Sequence, residues 1–498
     1  MKILKKESDD ILVIASPRER VRVGDYLIAA EAQRSLVLQV YDERYLDVEG
    51  IEEEIAREEV LSASAPGVTS DPTELTTIST LIRDMRILLC KARGTIAGGK
   101  LTPRSNWMPS RTSSTVTRLM VQEMGGTIEP LGAREIRLGT VDSESPFNIP
   151  AEALDGRITV ITGRKESGKS HLAKILLRGL LEFNAYAVIF DLNDEYGMVG
   201  QRKDGSETAE AMKVKVLRPG RDLKFSLASV GLRPITNLLS HSLEMPGTSL
   251  REFVKIWEQL DSRDELTLGS LESGIQQWRC NEFVRDALFA RYHTLASSGL
   301  FTDSSHQQFD LQDFFTLNRG GGALVVSLSG VSPLNRRMVV ELILSKLVEL
   351  LERRKIPPVF LFAEEAHLYL RDTYWEDLIT RMRHFGVFTL FVTNQPDAID
   401  QKIYRQVDNI FLYNFSNDSD LNLVAQASMA DSDTVKAIVR TLPPRMCLLL
   451  GYAVRNLPVV VNIDPFDSPA TGLTRRFFQE SLEVSPRASS ARSAAAPS

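Results

Sequence analysis

The chain has 498 residues, of which 43% are hydrophobic and 25% charged, and its formal net charge is −6. At roughly 150 residues per domain this predicts a globular protein of about two to four domains, and it excludes a collagen, a disulfide scaffold and a largely disordered chain. Cys90, Cys280 and Cys447 are too few and too far apart for a disulfide framework or a CxxC zinc site. Because the chain has no apolar leader and no apolar window of about 18–20 residues, we expect a cytoplasmic protein without a membrane segment.

Residues 1–148 predict a small β-rich domain. The acidic stretch 52–59 is expected to be a solvated helical face, and 62–74 a surface loop. Residues 91–118 carry six basic and no acidic side chains. We expect them to form a flexible basic loop, which is either solvated or in contact with a nucleic acid or protein partner. Short apolar runs typical of strands lie at Ile11–Ile14, Tyr26–Ala29, Ser35–Tyr41 and Arg86–Cys90.

After residue 148 strands alternate with helices, which predicts a parallel α/β sheet. The segment 232–316 has helical spacing and is predicted to be a helical insertion, so that the core comprises 149–231 and 317–466. Residues 467–498 form an extension that ends in a tail rich in Ser, Ala, Arg and Pro, which we expect to be disordered. The predicted core strands are 157–162, 185–191, 213–217, 323–329, 359–363, 387–393, 409–413, 447–450 and 458–463.

Residues 163–170 match the phosphate-loop pattern G-x-x-x-x-G-K-[ST] at every fixed position, between an apolar strand and an apolar helix. Glycines let backbone N–H groups turn toward a phosphate, and the helix N-terminus adds its positive dipole end. Lys169 is expected to reach the β- and γ-phosphates, and the Ser170 hydroxyl to bind Mg²⁺. The nucleotide-binding residues predicted in this stretch are Gly163, Lys165, Glu166, Ser167, Gly168, Lys169, Ser170 and His171.

The predicted strand 359–363 leads into two carboxylates, Glu364 and Glu365, in a Walker B arrangement with Glu where Asp is usual. Glu364 is expected to hold Mg²⁺ through water, and Glu365 to polarise the attacking water. Asp191 and Glu195 follow another predicted strand, where they either face the nucleotide or form a structural turn. Gln395 also follows a strand, and its amide is expected to sense the γ-phosphate or orient water. This combination predicts nucleotide hydrolysis.

These motifs resemble the HerA branch of the HerA/FtsK superfamily of hexameric, ATP-driven DNA translocases. The resemblance covers about residues 150–465 and, more loosely, the β-rich part, where 21–26 is similar to the opening of the family's small HAS-barrel. It implies a P-loop (RecA/FtsK-like) α/β core with a helical insertion, preceded by a small N-terminal β-barrel. Met382 replaces the family's usual glycine, and Thr393-Asn394-Gln395-Pro396 replaces Ser-Gln-Arg-Pro. The motifs that carry the resemblance are 163–170, 191–196, 325–330, 364–367 and 383–396.

The resemblance also implies partners. It predicts a homo-hexameric ring that uses ATP and Mg²⁺ to pull double-stranded DNA through its channel during DNA end processing. A nuclease similar to NurA, or a defence effector, is expected to dock on the N-terminal domain as a separate chain. In such rings a neighbouring subunit supplies an arginine to the γ-phosphate, and Arg383 is the first candidate and Arg381 the second. The alternative is a surface arginine on a helix.

DNA contacts of a translocase must be releasable, so we expect basic residues that meet phosphates and read no bases. Lys213 and Lys215 alternate with apolar residues, so they are also compatible with the wet face of an edge strand. Two other functions remain open: an ATP-dependent ring scaffold for a defence effector, or a conjugation- or secretion-type motor. Glu365 favours turnover over a scaffold. The candidate DNA contacts are Arg202, Lys203, Lys213 and Lys215, followed by Arg218, Arg221 and Lys224.

Overall fold

The structure, a computed structural model, describes nine ranges of the chain, and within them the strands form two sheets. The predictions for 52–59, 62–74 and the tail after residue 469 lie outside the described residues. No helix in the described ranges is long and apolar enough to cross a membrane. The ranges are 1–46, 84–103, 107–125, 132–142, 144–370, 381–399, 401–415, 417–428 and 430–469.

The first sheet is built from the N-terminal strands and is entirely antiparallel, in the order β1-β2-β5-β4-β3-β7 with β6 on β5. Alternate side chains such as Leu36 and Leu38 are buried in one core, as the period of two in a strand requires. The sheet curls, since Lys2 Nζ on β1 donates to Ser114 O beside β7 at 3.1 Å. Its strands are β1 (Lys2–Glu7), β2 (Asp10–Ala15), β3 (Tyr26–Glu31), β4 (Arg34–Tyr45), β5 (Arg86–Ala97), β6 (Lys100–Pro103) and β7 (Thr115–Leu119).

The described residues of 91–118 do not form the single flexible basic loop that their composition predicts. They contain the second half of β5, all of β6 and most of β7. Three of the six basic side chains pair with carboxylates that are distant in sequence, which a count over this stretch does not reveal. These ion pairs are Lys91–Asp10 at 2.7 Å, Arg93–Asp431 at 2.7 Å and Arg118–Asp25 at 3.1 Å.

The second sheet has eleven strands in the order β12-β13-β11-β14-β15-β10-β16-β17-β18-β8-β9. The run from β12 to β16 is parallel, and every pairing from β16 to β9 is antiparallel. The sheet is therefore mixed rather than wholly parallel. Its strands are β8 (Glu135–Val141), β9 (Ser145–Pro150), β10 (Thr159–Thr162), β11 (Tyr186–Asp191), β12 (Val214–Leu217), β13 (Gly322–Ser327), β14 (Val359–Glu364), β15 (Val387–Thr393), β16 (Asn409–Leu412), β17 (Met446–Gly451) and β18 (Val459–Ile463).

The placement of β8 and β9 corrects the predicted boundary at residue 148. That boundary assigns all of β8 and most of β9 to the N-terminal domain, but β8 pairs with β18 and extends the large sheet. Two contacts explain this: Ile136 packs against Gly179 of the helix that follows the phosphate loop, and Asp464 N donates to Leu138 O at 3.0 Å. Both contacts join residues far apart in sequence.

Helices cover both faces of the large sheet. On one face α2 packs its buried Leu172, Leu176 and Leu180 against the strands, and on the other face α9 packs together with the helices of the insertion. The α-helices are α1 (Val121–Gly125), α2 (Lys169–Glu182), α3 (Leu227–Val230), α4 (Leu232–Asn237), α5 (Gly247–Asp261), α6 (Leu268–Gln277), α7 (Glu282–Ser297), α8 (Leu311–Leu317), α9 (Pro333–Glu352), α10 (His367–Leu370), α11 (Gln401–Tyr404), α12 (Asp418–Ala427) and α13 (Ser432–Thr441).

Buried polar contacts join the two sheets. The Tyr26 hydroxyl and the Gln39 side-chain amide, both on the first sheet, donate to the same Pro458 carbonyl at 2.8 Å each. The side-chain oxygen of Gln39 accepts from Arg93 Nε at 2.9 Å, and Arg93 Nη1 donates to Asp431 at 2.7 Å. Asp431 also caps α13, because its second oxygen accepts from the Thr434 amide at 2.9 Å.

Glu341 is an almost fully buried carboxyl on α9, with 2% of its surface exposed. The Ser242 hydroxyl donates to one of its oxygens, and its Oε1 has no hydrogen-bond partner among the described residues. Burial raises the pKa of Glu341 to about 7. The folded chain therefore holds a proton that the unfolded chain releases near its ordinary pKa of 4.5.

The contribution of Glu341 to stability should consequently fall by about 3 kcal/mol as pH rises from 4.5 to about 7. Glu341→Gln keeps an acceptor for Ser242 but cannot ionise. We expect the difference in unfolding free energy between variant and parent to grow with pH over this range, as measured by denaturant titration at several pH values. Glu352→Gln, an exposed change on the same helix, is the control. A constant difference across the pH range would contradict the assignment.

Candidate nucleotide site

The phosphate loop connects β10 to α2, as its motif requires. Gly163, Glu166 and Gly168 all have positive φ, of 153°, 59° and 112°, so the backbone turns tightly before the helix begins. A Cβ at position 163 would lie 2.4 Å from Tyr413 Cβ, and only glycine fits there. The Ser167 hydroxyl is buried without a hydrogen-bond partner among the described residues. This orphaned donor inside the loop is suited to a phosphate oxygen.

Three residues that the sequence analysis missed hold this loop in place. Asn414 O accepts from the Arg164 amide at 3.0 Å, and the Arg445 amide donates to Ser167 O at 3.2 Å. The Tyr413 hydroxyl donates to Gly168 O at 3.3 Å. Tyr413 and Asn414 directly follow β16, so the rule that ligand contacts collect at the carboxyl ends of parallel strands would have found them. Arg445 lies before an antiparallel strand and has no such signal.

Lys169 is buried and lies against the loop that precedes it. Its ammonium donates to Gly163 O at 2.9 Å and to Arg164 O at 2.8 Å. Burial lowers its pKa, while the negative charges of Glu365 and Glu195 oppose that shift. The positive charge of Lys169 thus lies inside the loop, within the field of nearby carboxylates. Ser170 and His171 occupy the first turn of α2, and burial together with the charge of Lys174 lowers the pKa of His171.

Glu364 is the last residue of β14 and only 2% of its surface is exposed. Burial raises its pKa well above the ordinary value, and the charges of Glu195 and Asp191 raise it further. Glu365 follows with φ of 45°, and its amide donates to Val392 O at 2.7 Å, so the chain turns sharply there. Burial also raises the pKa of Glu365, and the positive charge of Lys169 opposes this.

The strand order explains how these groups meet. β15 lies between β14 and β10, with Glu364 paired to Val392 and Thr162 paired to Thr393. At about 5 Å between neighbouring strands, the ends of β14 and β10 are about 10 Å apart, which leaves room for a phosphate chain. Gln395 follows β15 at this edge and is exposed. The backbone N–H of Gln395 donates to Thr393 Oγ1 at 3.0 Å.

Asp191 and Glu195 make different contacts. Asp191, at the end of β11, is 1% exposed and accepts the amides of Glu195 and Tyr196 at 3.0 and 2.9 Å. Its two oxygens therefore hold the turn that was the alternative in the sequence analysis. Glu195 lies 3.4 Å from Lys174 Nζ on α2, and its charge reaches both Lys169 and Glu364.

Lys165 and Glu166 are exposed on the loop. Arg381 and Arg383 lie elsewhere. Residues 381–385 are helical and precede β15, so both arginines are at the amino-terminal edge of the sheet. The length of β15, about 20 Å, separates them from the phosphate loop of the same subunit.

The basic residues proposed for DNA divide into two groups. Arg202 and Lys203 are exposed on a short hairpin between β11 and β12, and the charge of Lys203 reaches His171 beside the phosphate loop. Lys213 is engaged within the fold instead. Its ammonium donates to Leu181 O and Asn184 Oδ1 at 2.9 Å each, and so caps the C-terminal end of α2. Lys215 lies 5.3 Å from the centre of the Phe309 ring.

The residues at this edge fit a hard cation bound together with phosphate. Within the described residues no group of three or more His, Cys, Asp and Glu side chains is placed to hold a metal alone. Mg²⁺ is commonly held by one or two protein oxygens with phosphate and water completing the shell. The crowding of Glu364, Glu195 and Asp191, which raises the pKa of Glu364, would be relieved by such a charge.

Several known proteins are similar to this chain. The family described as "Helicase HerA, central domain" matches residues 136–347. The DNA double-strand break repair helicase HerA of Sulfurisphaera tokodaii is 24% identical over 425 residues, which cover 79% of this chain and 80% of that protein. The conjugative coupling protein TrwB is 14% identical with a TM-score of 0.50, over 71% of this chain and 94% of that one. VirB4 of Thermoanaerobacter pseudethanolicus is 15% identical with a TM-score of 0.50, over 67% and 97%.

The fold and the site define the class: the chain is a P-loop ATPase, an enzyme that binds and hydrolyses nucleotide. Within that class it is similar to HerA, and the resemblance predicted from the sequence is confirmed. The predicted P-loop core is also confirmed, with the correction that its sheet is mixed.

Lys169 and Glu365 should affect ATP turnover differently. Lys169→Ala removes the charge inside the loop, so ATP affinity and turnover should both fall. Glu365→Gln keeps the shape but loses the carboxylate that is expected to polarise the attacking water, so affinity should persist while the turnover number falls on the order of 10²–10⁴-fold. Equilibrium binding of ATP and steady-state hydrolysis measure the two effects. Lys355→Ala, an exposed lysine after α9, is the control, and an equal loss of ATP affinity in both site variants would contradict the roles.

Proposed function

We propose that the chain assembles into a homo-hexameric ring that hydrolyses ATP with Mg²⁺ and moves double-stranded DNA through its channel during the processing of DNA ends. The observation that carries the proposal is the similarity to HerA helicases over 79% of the chain, with the phosphate loop and Glu365 in place at one sheet edge. Lys169 and Ser167 would bind the phosphates, Ser170 and Glu364 would hold Mg²⁺, and Glu365 would accept the proton of the attacking water. The metal would neutralise phosphate charge.

The position of Arg383 supports a ring. An arginine at the opposite edge of the sheet from its own phosphate loop serves hydrolysis only if another subunit brings a loop to it. Head-to-tail contacts of that kind close into a ring when the rotation between subunits is right. Arg381 is the second candidate for the same role.

The curled first sheet supports the proposal of a small N-terminal barrel of the HAS type. We place the ATPase core at 135–231 and 317–466, the helical insertion at 232–316, and the C-terminal extension at 467–498. The barrel would dock a separate nuclease similar to NurA, or a defence effector.

Two alternatives keep the same core: a ring scaffold held together by ATP, and a motor of the conjugation or secretion type. The ATPase rate with and without duplex DNA separates them. A DNA translocase should hydrolyse ATP several-fold faster with duplex DNA, whereas a scaffold should hydrolyse slowly in both conditions. A rate that is fast but indifferent to duplex DNA would favour a motor for another polymer.

Mixed rings test whether Arg383 acts on a neighbouring subunit. Arg383→Ala subunits should be inactive alone, because a finger arginine contributes on the order of 10³–10⁵ to the rate. Lys169→Ala subunits should be inactive alone because they lose the charge that binds the phosphates. Mixing them creates interfaces at which an intact loop meets an intact arginine, so part of the ATPase activity should return. Crosslinking and mass measurement establish that the rings are mixed.

The control for this experiment is a mixture of Lys169→Ala and Glu365→Gln subunits. Both residues belong to the site of their own subunit, so no interface in that mixture is complete and activity should stay absent. If mixed rings with Arg383→Ala stay equally inactive, Arg383 does not act in trans, and Arg381 is examined in the same way.

Arg202 and Lys203 should contribute to DNA contact through phosphate charge alone. Their double alanine variant should bind duplex DNA more weakly and reduce the slope of log affinity against log salt by up to about 2. The stimulation of ATPase by DNA, relative to the rate of the same variant without DNA, should fall. Alanine at both Arg353 and Arg354, an exposed pair after α9, removes equal charge as a control. Unchanged DNA binding in the Arg202 and Lys203 variant would remove the hairpin from the path of DNA.

A further inference from the structure

His367 is the first residue of α10 and lies beside the carboxylate of Glu365. Its Nδ1 atom is 3.4 Å from Glu365 Oε2 and 3.2 Å from Thr393 Oγ1. Only 10% of the His367 side chain is exposed, so the ring has little freedom to leave this position. The imidazole is thus held between the carboxylate and the end of β15.

The hydrogen bonds of Thr393 indicate which nitrogen of the ring carries hydrogen. The Thr393 hydroxyl donates to Gln395 O at 3.3 Å, which uses its single proton. One lone pair of the same oxygen accepts the backbone N–H of Gln395 at 3.0 Å, and one lone pair is left for His367. From these contacts we assign a hydrogen to Nδ1, because two lone pairs facing each other would repel.

The same Nδ1–H faces a second acceptor, the Oε2 atom of Glu365. This oxygen is buried and makes no hydrogen bond within the described ranges of the chain. A buried carboxylate oxygen without a donor is unfavourable, because it has lost its contact with water. Its distance from Nδ1 is about 0.5 Å longer than an ordinary N–H···O hydrogen bond, so a small rotation of the Glu365 side chain would form one.

Thr393 connects this pair of side chains to the rest of the phosphate-binding edge. It ends β15 and is paired with Thr162, the residue before the phosphate loop. Its hydroxyl is bonded on both sides to the backbone of Gln395. The imidazole of His367 is therefore anchored to a part of the fold that is fixed relative to the loop.

We propose that His367 is a positioning residue for ATP hydrolysis. Its Nδ1–H donates to Glu365 Oε2 and directs the other oxygen of that carboxylate toward the attacking water. A charged acceptor binds such a donor more strongly than the neutral hydroxyl of Thr393, which keeps the ring in place. In this role His367 acts only through Glu365 and needs no change of its own charge. The inference rests on the role proposed above for Glu365.

Two amide variants of the full-length protein separate the nitrogens of the ring. His367→Asn places an N–H donor close to the position of Nδ1, whereas His367→Gln places it close to that of Nε2. We expect His367→Gln to lower kcat about 10- to 100-fold with ATP affinity unchanged, because a misplacement of about 1 Å can cost up to about 100-fold. His367→Asn should keep most of the activity. His306→Ala, an exposed histidine of the helical insertion, is the control.

A double-mutant cycle, measured as single-turnover hydrolysis, distinguishes positioning from general damage. Glu365→Gln leaves no carboxylate to orient, so adding His367→Gln to it should change the rate by less than about twofold. A further full loss in the double variant would overturn the proposal, as would equal rates in His367→Asn and His367→Gln. An unchanged rate in Glu365→Gln alone would instead refute the role of Glu365, so the two failures are distinguishable.

Discussion

Glu364 and Asp191 are almost completely buried at the carboxyl ends of neighbouring parallel strands, where their charges repel each other and water does not reach them. Glu195 and Glu365 add to the same field, and Lys169 is the buried cation that faces them. Such a cluster is costly unless a ligand brings positive charge or the carboxylates themselves take up protons. The edge is thus incomplete by itself, and Mg²⁺ bound with a nucleotide would complete it.

The loop that meets this charge is held by the protein rather than by its ligand. Tyr413, Asn414 and Arg445 each bond to its backbone, and all three come from the part of the chain that follows the acidic strand. The loop is therefore shaped before a phosphate arrives, which reduces the ordering that binding has to impose. The same contacts link the loop to β16 and β17, where the sheet changes from parallel to antiparallel.

The sequence predicts those parts of the molecule that a short stretch specifies. The loop from Gly163 to Ser170 and the carboxylates after β14 are local patterns with a local physical cause, and their positions follow. The role of Arg445 and the pairing of β8 with β18 were missed, because each depends on a partner hundreds of residues away. The strand character of 91–97 was missed because it depends on pairing with β4, which lies outside this stretch. Lys213 shows the same limit. Its alternation with apolar residues is typical of an exposed lysine on a strand, and the sequence does not reveal that the end of α2 lies beside it.

The junction between the two sheets limits which N-terminal modules can be joined to this ATPase core. Tyr26 and Gln39 share one carbonyl of Pro458, and Arg93 pairs with the residue that caps α13. Separated, the first sheet would keep three buried donors and the ATPase core would keep a carbonyl and a carboxylate without them. A chimaera that exchanges the N-terminal module must therefore carry over the tyrosine, the glutamine and the arginine as a set. The two sheets therefore depend on each other, although the described strands of the first sheet all precede residue 120 and those of the second all follow residue 134.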